Sequence, residues 1–276
     1  MSEAPILTAV VRRDRWIVAG VLALACALAW AWLFAQARPM SAMASMPGMG
    51  STAGMAAAAV TPAHVASAFV MWALMMVAMM LPSAAPMILT YARFAGGTKA
   101  QGAALAPTLL FAAVYVAVWA GFSAIAAATQ AGLVETGAIS ATRLALGDRR
   151  IAGALLVAAG LYQLTPIKRA CLGQCQTPLG FIMQRWRPGW RGALRLGFAH
   201  ALVCVGCCWA LMGLLCVGGV MSLAWVAALA LIVLIEKVAP IGARGAWAIG
   251  AVAVAAGLAL IAGLPLALGW WVRGSP

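Results

Sequence analysis

Along this chain, long apolar runs alternate with short breaks made of basic or small residues. Uninterrupted apolar stretches fall near residues 16–35, 65–90, 104–130, 149–166, 195–217, 221–237 and 246–272. Each is close to the roughly 20 residues that a helix needs to cross a ~30 Å hydrocarbon core. The pattern predicts an all-α, polytopic membrane protein of about seven transmembrane helices. Thr61-Pro62 reads as a cap followed by a first-turn proline, while Gly218-Gly219 closes one helix and Ser222 opens the next. Spans five and six therefore form a tight hairpin. The expected organisation is a segment 1–15, a first helix 16–35, a Met-rich loop 36–64, and a six-helix domain 65–272 containing a basic interfacial loop 167–194. A short tail, 273–276, follows.

Composition sharpens this picture. The 276 residues are 66% hydrophobic and only 8% charged, with a mean hydropathy of +1.02, far from the ~25% charge of soluble domains. Nucleic-acid binding and cytosolic enzyme folds are excluded. The net charge of +13 reports orientation instead: 13 Lys and Arg fall on the side of the N-terminus and five (Arg38, Arg143, Arg149, Arg150, Arg273) on the other. Retained positive charge marks the cytoplasmic face, so the N-terminus is expected inside and the C-terminus outside. Segment 1–15 is then cytoplasmic and loop 36–64 lies outside.

The first span has a basic flank and an Ala35-Gln36-Ala37 sequence like those of cleaved signal peptides. Its apolar run is longer than the usual signal-peptide core, and Trp30 and Trp32 read as an outer aromatic belt matched by Trp270 and Trp271, which favours a retained helix. Residues 179–195 interleave Phe181, Ile182, Trp186 and Trp190 with Arg185, Arg187, Arg191 and Arg195, as a segment lying on a lipid surface would.

The chemistry is carried by sulfur. The outer loop places Met40, Met43, Met46 and Met49 three residues apart, with Met55 beyond. Thioethers on an oxidising-side segment of small residues suit Cu(I), a soft ion, better than zinc or magnesium. Span two carries Met71, Met75 and Met79 on one stripe and Met76, Met80 and Met87 on the next. Methionine is also an ordinary core filler. Pro82 and Pro86 in the same span are expected to free carbonyls toward a cavity. In span five, His200, Cys204, Cys207 and Cys208 at i, i+4, i+7 and i+8 share about 100° of helix face. The three cysteines lie some 14–20 Å from the inner end, near the midplane. Cys171 and Cys175, one turn apart at the inner end of span four beside Lys168 and Arg169, could exchange a soft cation or a disulfide. Cys26 and Cys216 read as packing. Glu236 and Lys237 close span six at the inner face, where Glu236 is expected to meet Lys168 or Arg169 from another helix, or a passing cation.

Four motifs carry a resemblance: the run from Met71 to Met87, the segment from Tyr162 through Cys175 to Pro178, Gly206-Cys-Cys-Trp-Ala-Leu-Met212, and Glu236-Lys237. Together, in this order over residues 65–237, they resemble a bacterial family of predicted metal-binding integral membrane proteins of unknown function, some labelled copper chaperones. The resemblance implies a multi-pass protein of the bacterial inner membrane that binds metal.

Ligand softness and this resemblance lead to a copper-handling protein, not an enzyme: a chaperone or transporter passing Cu(I) from the outer Met through membrane Met, Cys and His to inner Cys. Its partners would be the lipid bilayer and a copper-carrying or copper-requiring protein. No Gly-x-x-x-x-Gly-Lys-[Ser/Thr] loop is present to drive pumping with ATP. The first alternative is a membrane thiol-disulfide oxidoreductase using Cys204/Cys207 and Cys171/Cys175. The second is a subunit binding haem or another cofactor through His200 and Met.

Overall fold

A computed structural model of the chain describes residues 3–44, 61–97, 104–139, 146–239 and 242–264. Ten helices account for nearly all of them: α1 (Glu3–Ala44), α2 (Pro62–Gly97), α3 (Leu105–Glu135), α4 (Arg149–Leu164), α5 (Pro166–Gln176), α6 (Pro178–Arg185), α7 (Gly189–Gly213), α8 (Leu215–Gly218), α9 (Leu223–Val238) and α10 (Gly242–Ile261). The described residues contain no strand beyond an isolated bridge between Ile139 and Leu146. Among the described residues five helices are long and apolar enough to cross a membrane, or six if the bent pair α4–α5 counts as one span. The sequence predicts seven. The difference lies at α9, whose 16 residues are too few for a span, and at α4–α5, which turns by 63°. The first helix outruns its expected end at residue 35 and continues to Ala44.

The bend is local chemistry. Pro166 has no N–H and forces the residue before it out of the helical region, so Thr165 takes ψ 149° and ends α4. The Thr165 hydroxyl then accepts from the Lys168 N–H at 3.2 Å and caps α5. At its other end α4 is capped by Asp148, which accepts from the Arg150 N–H at 2.6 Å. Segment 167–194, expected as a basic interfacial loop, instead folds as α5, α6 and the start of α7. Phe181 and Ile182 are buried in the bundle, whereas Trp190 and Arg185 remain exposed.

Helix α2 lies at the centre, against α1, α3, α6 and α9. Pro82 and Pro86 do not break it. Pro82 leaves the Ala78 carbonyl without its helical donor, and Trp30 of α1 supplies a replacement at 3.2 Å. Trp30 therefore serves as a helix-to-helix donor, partly buried, where a belt residue was expected. On the other side of the bundle α4 and α10 approach through paired glycines. A Cβ on Gly160 would meet the Gly250 carbonyl at 2.7 Å, and one on Gly257 would meet the Gly153 carbonyl at 2.6 Å. Such close contact replaces a hydrophobic driving force that lipid does not provide.

Candidate metal centre

Helices α7 and α9 are joined through α8 and a turn at Gly219, whose φ of +88° suits glycine. Cys204 stands 14 residues before the end of α8 at Gly218, and Lys237 stands 14 residues after the start of α9 at Leu223. At ~1.5 Å per residue both are ~21 Å from the hairpin. They are therefore level, and Lys237 Nζ donates to Cys204 Sγ at 2.8 Å. Glu236 and Lys237, expected at the inner face, sit deep in the bundle instead.

Two further helices complete the surroundings of Cys204. Tyr115 of α3 places its hydroxyl 3.0 Å from Cys204 Sγ and donates to the Met80 carbonyl at 3.2 Å. Ser83 of α2 accepts from Lys237 Nζ at 3.1 Å. A buried ammonium demands compensating charge. Among the described residues no carboxylate is paired with Lys237, and the side chains it contacts, the Cys204 thiol and the Ser83 hydroxyl, are neutral groups.

The remaining sulfurs form two close pairs. Cys207 and Cys208 direct their S–H groups back to the Cys204 carbonyl at 3.1 and 2.9 Å. Cys208 also lies 3.7 Å from the Met80 sulfur on α2. Cys175 lies 3.9 Å from Cys207. The bend at Thr165-Pro166 lays α5 along α7, so Cys175 reaches the α7 cysteines rather than forming a separate inner pair with Cys171. Cys171, half-buried, rests on the gap at Gly206, where a Cβ would come within 3.1 Å of its sulfur. The adjacent Gly206 carbonyl accepts from the Tyr162 hydroxyl. All seven cysteines are free thiols.

Beneath this cluster runs a polar clamp. Lys168 of α5, with no exposed surface, meets Glu236 at 2.6 Å, the partner expected from sequence. Gln163 of α4 donates to the other Glu236 oxygen at 2.8 Å, and Gln176 of α5 donates to the Glu236 carbonyl at 2.7 Å. One acidic residue thus binds α4, α5 and α9 together and fixes the position of Cys175.

Other predicted ligands are placed differently. His200 is buried, but neither ring nitrogen has a hydrogen-bond partner. The rings of Phe111, Tyr115 and Phe181 surround it at 6.0, 5.5 and 5.7 Å. Met71, Met75, Met76 and Met79 are buried in the core, and Met80 lies against the Cys208 thiol. Met40 and Met43 fall in the last turns of α1; Met46, Met49 and Met55 lie outside the described residues. Among the described residues, no three His, Cys, Asp or Glu side chains converge as a ready-made metal cage. The arrangement offers sulfur pairs, not a closed site.

Sequence reasoning missed Ser83, Tyr115, Gln163 and Gln176, although each is a polar interruption in an apolar run. It missed Lys237 as a neighbour of Cys204 as well, placing it at the inner face; the signal that could have found it is the equal residue count from the two sides of the turn, Gly218 and Leu223, to Cys204 and to Lys237.

A family model described as "PpoB2: Copper chaperone" matches residues 69–260, from α2 through nearly all of α10. No curated protein and no solved structure matches the chain.

Proposed function

The chain belongs to the PpoB2 copper-chaperone family, and from that premise we propose that its cargo is Cu(I), held within the bundle by paired sulfurs from different helices. The observation that carries this reading is the Cys175–Cys207 pair at 3.9 Å. With a metal–thiolate bond of ~2.3 Å, two sulfurs on one ion stand roughly 3.8 Å apart in tetrahedral geometry and ~4.6 Å apart in linear geometry. Met80 and Cys208, 3.7 Å apart, have nearly the same spacing. A soft monovalent ion accepts low coordination by thiolate and thioether, so the two pairs provide neighbouring stations on α7.

In this reading Met40, Met43, Met46 and Met49 collect the ion on the outer side, and Met71, Met75, Met76 and Met79 line its approach along α2. Half-buried Cys171 is the exit thiol toward a partner protein, and His200 is a reserve donor one turn from Cys204. The basic residues favour the N-terminus inside and the C-terminus outside, in a bacterial inner membrane. The protein binds and passes its ion without catalysing a reaction.

The test is competition for Cu(I) against a chelator under anaerobic conditions. Cys175→Ser and Cys207→Ser should each lower affinity by at least about tenfold, since a two-donor site loses half its ligands. Cys26→Ser should leave affinity unchanged.

The same 3.9 Å distance favours one second reading, a thiol-disulfide relay. It would move the reactive pair from Cys204/Cys207 to Cys175/Cys207. A stoichiometric Cys175–Cys207 disulfide in protein trapped from cells, with no copper affinity in the reduced protein, would select it.

A further inference from the structure

The charge of the site bears on which ions it accepts. Lys168 and Glu236 cancel each other at 2.6 Å, so the fixed charge next to the sulfurs is that of Lys237. Its ammonium contacts Cys204 and lies within electrostatic reach of Cys207, Cys208 and Cys175. Lys237 and the four cysteines are all buried. In such surroundings any uncompensated charge is costly.

Metal binding releases the protons of the thiols that ligate. Two thiolates around a monovalent ion give a complex of charge −1, and Lys237 brings the sum to zero. Two thiolates around a divalent ion give a neutral complex, which Lys237 makes positive. A third thiolate would restore neutrality for the divalent ion. Among the described residues, however, no three such ligands converge; the sulfurs come in pairs.

We propose that Lys237 is a specificity-determining residue, the built-in counter-cation that makes the two-thiolate Cys175–Cys207 site select monovalent soft ions over divalent ones. The inference rests on the Cu(I) reading above and adds the basis of its selectivity. Lys237 does not ligate the ion; it acts through its charge. Ser83 and Tyr115 contribute by orientation, Ser83 holding the ammonium at 3.1 Å and Tyr115 sharing Cys204 at 3.0 Å.

The experiment uses the full-length protein in detergent, anaerobically. Ag(I) and Cd(II) are the probes: both are soft closed-shell ions, and they differ by one charge. Affinities are read by chelator competition for wild type, Lys237→Met, Lys237→Arg and Ser83→Asp. Lys237→Met deletes the charge, whereas Ser83→Asp neutralises it in place, so the second decides the matter if the first does not fold. Both should lower the Ag(I)-to-Cd(II) affinity ratio by at least about tenfold, the scale of one nearby charge in a medium of effective dielectric ~20. Lys237→Arg should keep the wild-type ratio. A variant that weakens both ions equally, or neither, overturns the role of Lys237 while Cu(I) binding by the wild type leaves the function standing. Failure of the wild type to bind Cu(I) removes both.

Discussion

Glu236 is one of only five acidic residues in the chain, and it holds more of the structure together than its size suggests. Its carboxylate takes Lys168 and Gln163, and its carbonyl takes Gln176. Replacing a buried pair with apolar residues is often tolerated, but removing one partner leaves an unpaired charge. Glu236→Gln should therefore destabilise the protein by about 3–5 kcal/mol. The double variant Lys168→Met with Glu236→Gln should recover most of that loss. Thermal unfolding in detergent reads both. Equal stability of the single and double variants would mean that the clamp holds by packing alone. This pair was legible in the sequence because an acid in an apolar span needs a cation, and two candidates stood at the end of span four. The partners of Cys204 were not. Helical periodicity assigns a side chain to a face of its own helix, but it does not say which neighbour that face meets.

The bend between α4 and α5 shows where reading by element stops. Thr165-Pro166 marks a boundary in the sequence, and its capping chemistry follows from residue type. The direction taken after it depends on tertiary contacts, namely the Glu236 clamp and the groove that Gly206 leaves on α7 for Cys171. Sequence spacing therefore pairs Cys171 with Cys175, whereas the fold pairs Cys175 with Cys207. Pro166→Ala restores an N–H and relaxes Thr165 toward helix, so α5 can straighten away from α7. In a background retaining only Cys175 and Cys207, oxidative cross-linking should be efficient, and Pro166→Ala should reduce its yield severalfold. An undiminished yield would show that the clamp alone sets the position of α5. Pro82 carries a similar lesson: a proline within a span announces a freed carbonyl, but only the packed structure identifies Trp30 as its donor.

At the scale of the whole molecule, composition sufficed for membrane embedding and helical class, because a mean hydropathy of +1.02 leaves few alternatives. The number of complete spans needed the structure, since α9 stops at the depth of Cys204 and α5 turns by 63° from α4 to pack against α7 and α9. The 13-to-five division of the basic residues is counted over seven spans, so with five or six the side of the membrane is a separate question with its own test. In a cysteine-free background, Ser51→Cys should react with an impermeant thiol reagent in intact cells whose outer membrane has been permeabilised. A cysteine at Ala170, beside the exposed Arg169, should react only after lysis. The opposite pattern would invert the protein and place Cys171 at the entrance of the path rather than its exit.

Sulfur pairing is the centre of the account, and the copper ion itself can report it. The direct measurement is X-ray absorption at the copper edge on full-length protein loaded anaerobically with one equivalent of Cu(I). The account predicts a Cu(I) edge and a first shell of two sulfurs near ~2.3 Å, with one sulfur lost in Cys207→Ser. A first shell of nitrogen or oxygen, or a spectrum unchanged by Cys207→Ser, would contradict it.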